Sequence, residues 1–356
     1  MLIDATHSEE TRVVVVEGNK VDEFDFESSS KKQLAGNIYL AKVTRVEPSL
    51  QAAFVDYGGN RHGFLAFSEI HPDYYQIPVE DREKLIEEEL AYAKKIQEEV
   101  EKKEQENLAN TDSSSLKENQ EDGNQSDADD PEPQSTTEQE QFSNDESEEL
   151  NTFKPRHRRY KIQEVIKVRQ ILLIQVVKEE RGNKGAALTT YLSIAGRYCV
   201  LMPNTARGGG ISRKITNAND RKRLKLIANE LEIPETTGLI VRTAGANRTK
   251  VEIKRDFEYL LRQWEEVRNL TLKSIAPCQI YEEGSLIKRS IRDLYARDVD
   301  EIFVEGQQGF QSAKAFMKML MPSHVKKVRE YNDPMPLFSR YQVESFLSGM
   351  FNPTVQ

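Results

Sequence analysis

The first 70 residues alternate between apolar and polar side chains, which is the pattern of half-buried β-strands. Gly18 and Asn19 provide the turn of a hairpin between the first two predicted strands, and Gly58 and Gly59 provide a second turn. The strands predicted in this way cover residues 12–16, 21–26, 37–46, 51–57 and 63–67. The N-terminal part of the chain is therefore predicted to be β-structure.

The same alternation returns after a long polar interval, over residues 164–168 and 170–178. These two runs and the three runs between residues 37 and 67 have the number and spacing expected of a five-stranded barrel with one loop enlarged by an insertion. The OB fold is the best-known small barrel of that size, and we expect one here.

The rest of the chain mixes helical periodicity with further strands. Apolar residues recur three and four positions apart between Phe257 and Thr271, which predicts an amphipathic helix. A second helix is predicted to begin at Asn219 or Asp220 and to end at Leu231. The remaining predicted strands are residues 187–201, 238–243, 286–291 and 301–304, and the remaining predicted helix is residues 310–320. The expected fold class is mixed α/β, divided into several domains.

Charge is distributed unevenly along the 356 residues. Residues 81–150 hold 24 acidic and 7 basic residues, a net charge of −17, whereas the other 286 residues hold 43 basic and 35 acidic residues, a net charge of +8. The formal net charge of −9 therefore hides a basic body. A basic body suits a polyanionic partner such as a nucleic acid, although ordinary solubility would explain it as well.

The acidic segment has two parts. Residues 81–107 are rich in Glu, Lys, Ala and Leu with opposite charges four positions apart, which predicts a solvated helix. Residues 110–150 contain almost no apolar side chains and cannot bury enough surface to offset their ordering entropy. We therefore predict an acidic, mostly disordered insert within residues 78–160.

The composition also argues against membrane and disulfide-rich classes. The sequence has no run of 18 apolar residues and no secretory leader, so neither a membrane span nor export is expected. The two cysteines, Cys199 and Cys278, are too few for a disulfide framework and do not form a C-x-x-C pair. A reducing, cytoplasmic setting fits best.

Aromatic residues concentrate on two neighbouring barrel strands. Phe54, Tyr57 and Phe64 lie there, while Lys178 and Lys184 fall at the end of a later strand and on the turn after it. Aromatic rings on the surface of an OB fold stack on bases, and neighbouring cations bind phosphates. The same rings could instead fill the barrel core, and their sequence positions alone leave both interpretations open.

Two other stretches could bind an anion. Residues 207–214, RGGGISRK, form a glycine-rich loop that could make a nest of backbone N–H groups or be a plain surface hairpin. Arg242 and Thr243 follow an apolar strand and offer a guanidinium fork and a hydroxyl to a terminal phosphate. A structural arginine at a strand end would look the same.

Metal and catalytic constellations are harder to find. The five histidines lie far apart in the sequence, and neither a Walker motif nor a Ser-His-Asp or Cys-His set is evident. Asp298 and Asp300 precede an apolar strand, where a turn or a cap is a commoner role than metal binding.

Several stretches together resemble the ribonuclease E/G family, and within it the ribonuclease E branch. The matching pieces, in chain order, are MLIDAT, RVEPSLQAAFVDYG, RHGFL, KEERGNKGAALTT, VLMPN, GGGISRK, GLIVRTAG and PLFSRYQVES. The resemblance covers nearly the whole chain except about residues 78–160.

The resemblance implies three domains. Residues 1–35 and 288–350 would form an RNase H-like structural domain, residues 36–190 an S1-type OB-fold domain with the acidic insert, and residues 191–287 a sensor of 5′-monophosphate ends. The DNase I-like catalytic domain, the zinc link and the small oligomerisation domain of the family are expected to be absent from this sequence.

The resemblance also suggests site residues. Phe54, Phe64 and Lys184 match the RNA contacts of the family's S1 domain, and we add Tyr57 and Lys178 as RNA-binding candidates. The residues that match the phosphate pocket, or lie beside it on the RNA path, are Gly196, Val200, Arg213, Arg242 and Thr243.

The family cleaves single-stranded, A/U-rich RNA with Mg²⁺ in mRNA decay and in rRNA and tRNA processing. Its Mg²⁺ carboxylates belong to a D-I-N-S motif and a later aspartate, and its zinc link is a C-P-x-C motif; neither motif occurs in these 356 residues. We therefore expect no catalytic residue and no bound Mg²⁺ or Zn²⁺ in this chain. It would be either the RNA-binding N-terminal half of an endoribonuclease, as a fragment or a truncated gene product, or a stand-alone RNA-binding protein.

The expected partners are single-stranded RNA and 5′-monophosphorylated RNA rather than DNA. Any association with a membrane or with an RNA degradosome would come from regions outside these residues, and we expect this chain to be a monomer.

Overall fold

Three sheets and the helices packed on them make up the described part of the chain. The computed structural model describes residues 1–350 except residues 8, 19, 29–32, 83, 86, 88–90, 92–159, 180–184, 206–209, 232, 235–236 and 297. The predicted disordered insert, most of the predicted solvated helix and the turn that carries Lys184 lie outside the described residues.

The first sheet joins the two ends of the described chain. Its five strands, in spatial order, are β15 (Val328–Tyr331), β14 (Ile302–Glu305), β1 (Leu2–His7), β2 (Glu10–Glu17) and β3 (Lys20–Ser28). Strand β14 lies parallel to β1 and β15, whereas β2 pairs antiparallel with β1 and β3. The predicted hairpin is confirmed as β2 and β3, and the predicted strand 301–304 is confirmed as β14.

Helices cover both faces of this sheet. They are α4 (Leu286–Asp293), α5 (Gln307–Leu320), α6 (Leu337–Arg340) and α7 (Val343–Met350). Helices α4 and α5 share a core with Ile3 and Val13, and α6 and α7 share a core with Leu2 and Val14. Adjacent residues of a strand point to opposite faces, so the consecutive apolar pairs of β1 and β2 serve both cores. The expected RNase H-like character of this three-layer unit stays a prediction.

Residues 286–291, which were predicted to form a strand, instead begin helix α4. The residues that α4 buries are Leu286, Ile287, Ser290 and Ile291, and their spacing of one, three and four positions defines one helical face. A short apolar run is compatible with a strand or a helix, and here only the helix places all four side chains on the sheet.

The second sheet closes into a barrel. Its strands, in order around the barrel, are β4 (Ile38–Glu47), β5 (Ala52–Asp56), β6 (Gly63–Ala66), β8 (Ala187–Thr189) and β7 (Ile171–Lys178). Pairing of β4 with β7 completes the circle, which confirms a five-stranded barrel, although β8 rather than the predicted run 164–168 is its fifth strand. One further strand, β13 (Cys278–Tyr281), pairs with β4 from outside the barrel segment.

Residues 164–168, predicted as a strand, do not join the barrel. The short helix α1 (Ile162–Val165) includes the first two of these residues, and it buries Ile162 and Val165 against the barrel core. Two apolar residues three positions apart face the same side of a helix, whereas in a strand they would face opposite sides.

The third sheet has four short strands and two helices. The strands, in spatial order, are β11 (Gly210–Ile211), β12 (Gly238–Val241), β10 (Cys199–Met202) and β9 (Ile194–Ala195), and the helices are α2 (Ala218–Glu230) and α3 (Lys250–Lys273). Both predicted helices are confirmed. Helix α2 is capped by Asn217, whose side chain accepts the Asn219 N–H, and not by Asn219 or Asp220.

One buried arginine connects the third sheet to α4. Arg197 lies in the turn between β9 and β10, and it is buried. Its Nη1 donates to the carbonyl oxygens of Ile291 at 2.6 Å and Arg292 at 3.1 Å, and its Nη2 donates to that of Tyr295. The last carbonyls of a helix have no partner within the helix, so Arg197 satisfies the carboxyl end of α4.

Replacement of Arg197 by alanine is therefore expected to destabilise the protein. The change leaves two buried carbonyls and one partly buried carbonyl without their donor, and an unsatisfied buried group costs about 1–3 kcal/mol. We expect the free energy of unfolding in urea to fall by about 3 kcal/mol or more. Arg262→Ala, at an exposed position of α3, is the matched control and should change stability by less than about 0.5 kcal/mol. Equal midpoints for the two variants would contradict this role of Arg197.

Candidate nucleic-acid interface

A row of side chains crosses the outer face of the barrel. Arg45 pairs with Phe54, Phe54 with Phe64, Phe64 with Ala187, and Ala187 with Lys178, so the row touches all five barrel strands. Paired residues of neighbouring strands share a face of the sheet, and all five positions of this barrel row are exposed or half-buried. The row therefore presents two aromatic rings between two cations.

The two rings of the barrel row hold each other in place. Phe54 and Phe64 meet edge to face, with ring centroids 6.0 Å apart. The Arg45 guanidinium lies 4.7 Å from the centroid of the Phe54 ring and 3.8 Å from Glu47. Edge-to-face and cation–π contacts order the rings while leaving area for a planar group to stack.

Arg45 is the member of the row that sequence reasoning missed. It opens the stretch RVEPSLQAAFVDYG, and its position directly across an antiparallel pair from Phe54 is the signal that could have identified it. That signal requires the strand register, which the alternation of residues alone does not provide.

Tyr57 does not belong to this surface. Its side chain is only 6% exposed and meets the Tyr39 ring edge to face inside the barrel core. Burial raises the pKa of the Tyr57 phenol above its ordinary value. A buried ring offers no face to a base, so the structure removes Tyr57 from the RNA-binding candidates. Lys184, which the resemblance adds to the interface, lies outside the described residues.

A second group of candidates gathers at one edge of the third sheet. Strands β11 and β12 run parallel and end together, which brings Arg213 to the same edge as Arg242 and Thr243. Strand β10 runs antiparallel to β12, so the turn that carries Gly196 also reaches this edge. We call Gly196, Arg213, Arg242 and Thr243 the Arg242 edge; Val200 lies farther along β10, paired with Ile240.

The turn at this edge is shaped by a buried carboxylate. Asp256 accepts the backbone N–H groups of Arg197, Tyr198 and Cys199 at 2.8–3.1 Å. A Cβ atom at Gly196 would lie 2.6 Å from an oxygen of Asp256, so only glycine fits there. Burial raises the pKa of the Asp256 carboxyl, although the three N–H groups and the charge of Arg242 favour its ionised form.

Arg242 is held between the turn and α4. Its Nη1 donates to the Gly196 carbonyl oxygen at 2.9 Å and to Oδ1 of Asp293 at 2.9 Å. Thr243 is exposed and begins a single 3₁₀ turn over Thr243–Gly245. The structure thus brings an arginine, a hydroxyl and a turn of backbone together, which are groups that bind phosphate.

Metal ligands do not cluster in the described part of the chain. No three His, Cys, Asp or Glu side chains there come close enough together to hold a metal ion. Cys199 is buried, where desolvation raises the pKa of its thiol, and Cys278 is half-buried on β13. Among the helices in this part of the chain, none is long and apolar enough to cross a membrane.

Comparison with known proteins agrees with this architecture. The sequence model of the ribonuclease E/G family matches residues 193–356, and that of the S1 RNA binding domain matches residues 32–106, which include β4 to β6 of the barrel. The S1 match confirms the predicted S1-type OB fold.

Relatives that align over the whole of this chain support the same family. Ribonuclease E of Haemophilus influenzae is 36% identical over all of this chain, which covers 30% of that protein, and ribonuclease E of Escherichia coli K12 is 34% identical, with 26% of it covered. The chain therefore spans less than a third of the length of these two relatives. The putative ribonuclease E of Buchnera aphidicola subsp. Baizongia pistaciae is 30% identical, and this chain covers 68% of it. The chain belongs to the ribonuclease E/G family.

Proposed function

We propose that this chain binds single-stranded RNA along the barrel row and recognises the 5′-monophosphate end of RNA at the Arg242 edge. It would serve as the RNA-binding part of an endoribonuclease that cleaves A/U-rich RNA in mRNA decay and in rRNA and tRNA processing. The observation that carries this proposal is the barrel row, in which a phenylalanine pair lies between two cations on an S1-type barrel.

The barrel row suits a single strand better than a duplex. Unstacked bases have free faces that can stack on Phe54 and Phe64, and stacking tolerates any base because every base has a π-face. Arg45 and Lys178 lie at the two ends of the row, where they would bind the phosphates that flank the stacked bases. Lys184 would add a further cation to this track.

The Arg242 edge suits a terminal phosphate. A monophosphate end offers several oxygens to a guanidinium and a hydroxyl, whereas a 5′-hydroxyl end offers no charge. Gly196 and Val200 would line the site from the turn and from β10, and Arg213 would guide the RNA beside it. We do not expect 5′-hydroxyl RNA to bind at this edge as well as 5′-monophosphorylated RNA does.

We further propose that these 356 residues bind RNA without cleaving it. The D-I-N-S motif that supplies Mg²⁺ carboxylates in the family does not occur in them, which favours a binding role for this stretch of sequence. Asp298 and Asp300 are exposed and lie in the segment before β14. That the chain is a monomer stays a prediction.

The stacking role of the barrel row can be tested by shortening its rings. Phe54→Ala and Phe64→Ala are each expected to weaken binding to a fluorescent single-stranded oligonucleotide by about 1–3 kcal/mol. Arg45→Ala and Lys184→Ala should weaken binding and flatten its salt dependence, because each removes a phosphate contact. Phe26→Ala, at an exposed phenylalanine of β3, is the matched control and should bind as the unmodified chain does. Unchanged affinity in the Phe54 and Phe64 variants would make these rings packing residues.

The terminal-phosphate role can be tested at Arg242. Arg242→Gln is expected to abolish the preference for 5′-monophosphate over 5′-hydroxyl RNA, because a charge-assisted hydrogen bond contributes about 1.5–3 kcal/mol. Binding of internal RNA by the barrel row should be unaffected. The exposed Arg262→Gln serves as the control. If Arg242→Gln retains the preference, the site lies elsewhere.

Cleavage can be tested with a 5′-monophosphorylated, A/U-rich oligonucleotide. We expect no products with or without Mg²⁺, because hydrolysis of a phosphodiester in this family needs metal-bound water that these residues are not expected to position. Mg²⁺-dependent cutting that disappears in Asp298→Ala would refute the proposal. Cutting that Asp298→Ala leaves unchanged would indicate a contaminating nuclease.

A further inference from the structure

Arg242 is oriented by two acceptors that come from different parts of the fold. The Gly196 carbonyl belongs to the turn between β9 and β10, and Asp293 is the last residue of α4. A guanidinium nitrogen Nη1 carries two N–H groups, and here each has one of these acceptors at 2.9 Å. Because a guanidinium is planar, fixing Nη1 also fixes the direction of its Nε–Nη2 edge.

Asp293 is itself held by its neighbour. Nε and Nη2 of Arg292 donate to the Asp293 carboxylate at 2.8–3.2 Å, and Nη1 of Arg292 pairs with Glu283. Burial would raise the pKa of the Asp293 carboxyl, but the charges of Arg292 and Arg242 outweigh it and hold the pKa below its ordinary value. Asp293 is therefore an ionised, fixed acceptor at neutral pH.

The turn between β9 and β10 also fixes the distance between the Gly196 carbonyl and the Asp293 carboxylate. Arg197 follows Gly196 directly and binds the carbonyl oxygen of Ile291 at 2.6 Å, two residues before Asp293. The turn thus presents the Gly196 carbonyl and also anchors the end of the helix that presents Asp293. Arg242 consequently meets both acceptors at once.

We propose that Asp293 is a positioning residue for terminal-phosphate recognition: it holds the Arg242 guanidinium in the orientation that binds a 5′-monophosphate. This inference rests on the proposed function of Arg242. A bidentate grip requires the two N–H groups of one guanidinium edge to face the phosphate together, and preorganisation of a long side chain removes a cost of binding. The phosphate site is then assembled from the third sheet and from α4, and neither part suffices alone.

The negative charge of Asp293 acts in the opposite direction, because a carboxylate repels an incoming phosphate. Two substitutions separate the two effects. Asp293→Asn removes the charge and keeps an acceptor oxygen at the same place, whereas Asp293→Ala removes both. A positioning role therefore predicts that asparagine rescues what alanine loses.

The experiment compares the affinities of the full chain for one oligonucleotide with a 5′-monophosphate or a 5′-hydroxyl, measured by fluorescence anisotropy. Asp293→Ala should lower the monophosphate-to-hydroxyl affinity ratio by about fivefold or more, the factor that corresponds to one lost hydrogen bond. Asp293→Asn should keep or exceed the unmodified ratio. Affinity for the 5′-hydroxyl RNA should stay constant throughout, since the barrel row is untouched. Asp298→Ala, at an exposed aspartate beyond α4, is the matched control.

Arg242→Gln in the same series distinguishes failure of this inference from failure of the proposed function. If Arg242→Gln loses the preference and Asp293→Ala keeps it, Asp293 has no positioning role. An increased ratio in Asp293→Ala, or equal losses in the alanine and asparagine variants, would also overturn the inference. If Arg242→Gln keeps the preference, the proposed phosphate site fails and the inference fails with it. If Asp293→Ala does not give a cooperative melting transition, Asp293→Ser is used in its place, because the short serine side chain no longer reaches Arg242.

Discussion

The buried guanidinium of Arg197 determines how the third sheet meets the three-layer unit. It donates to three carbonyls at and just after the end of α4 and contacts the rings of Tyr198 and Tyr295, whose centroids are 5.4 Å and 5.3 Å away. Buried polar groups without partners are costly, so each of these contacts restricts how far the two units can shift apart. The partial negative charge at the carboxyl end of α4 also suits a cation.

Asp256 supports the other side of the same turn. Its carboxylate accepts three consecutive backbone N–H groups, and its closeness to Gly196 excludes any side chain at that position. The conformation of the turn is thus fixed by Asp256 of α3, and its position is fixed by the hydrogen bonds of Arg197 to the end of α4. Because Gly196 also accepts from Arg242, the geometry of the candidate phosphate site depends on the contacts that hold the two units together.

The two candidate sites would bind RNA through different interactions. The barrel row is an exposed surface made by strand pairing, where stacking area and cations would give affinity with little dependence on base identity. The Arg242 edge is a partly enclosed arrangement in which Arg242, Asp293, Arg292 and Glu283 alternate in charge, and such fixed groups favour a ligand of defined charge and shape. The proposed function, in which the chain accepts many RNA sequences and recognises one kind of RNA end, requires both properties.

The sequence by itself determined four of the five barrel strands, the hairpin of the first sheet and the long helix of residues 250–273, because alternation and helical periodicity are local signals. It also pointed to Phe54, Phe64, Arg242 and Thr243 through their motifs. It failed for residues 164–168 and 286–291, where short apolar runs suit either type of element and tertiary packing selected the helix. Alternation also did not show that Tyr57 faces the core. The roles of Arg45, Arg197 and Asp293 depend on partners that lie up to about a hundred residues away in the sequence. Strand register and helix placement join such distant residues, so only the tertiary structure decided which polar side chains meet.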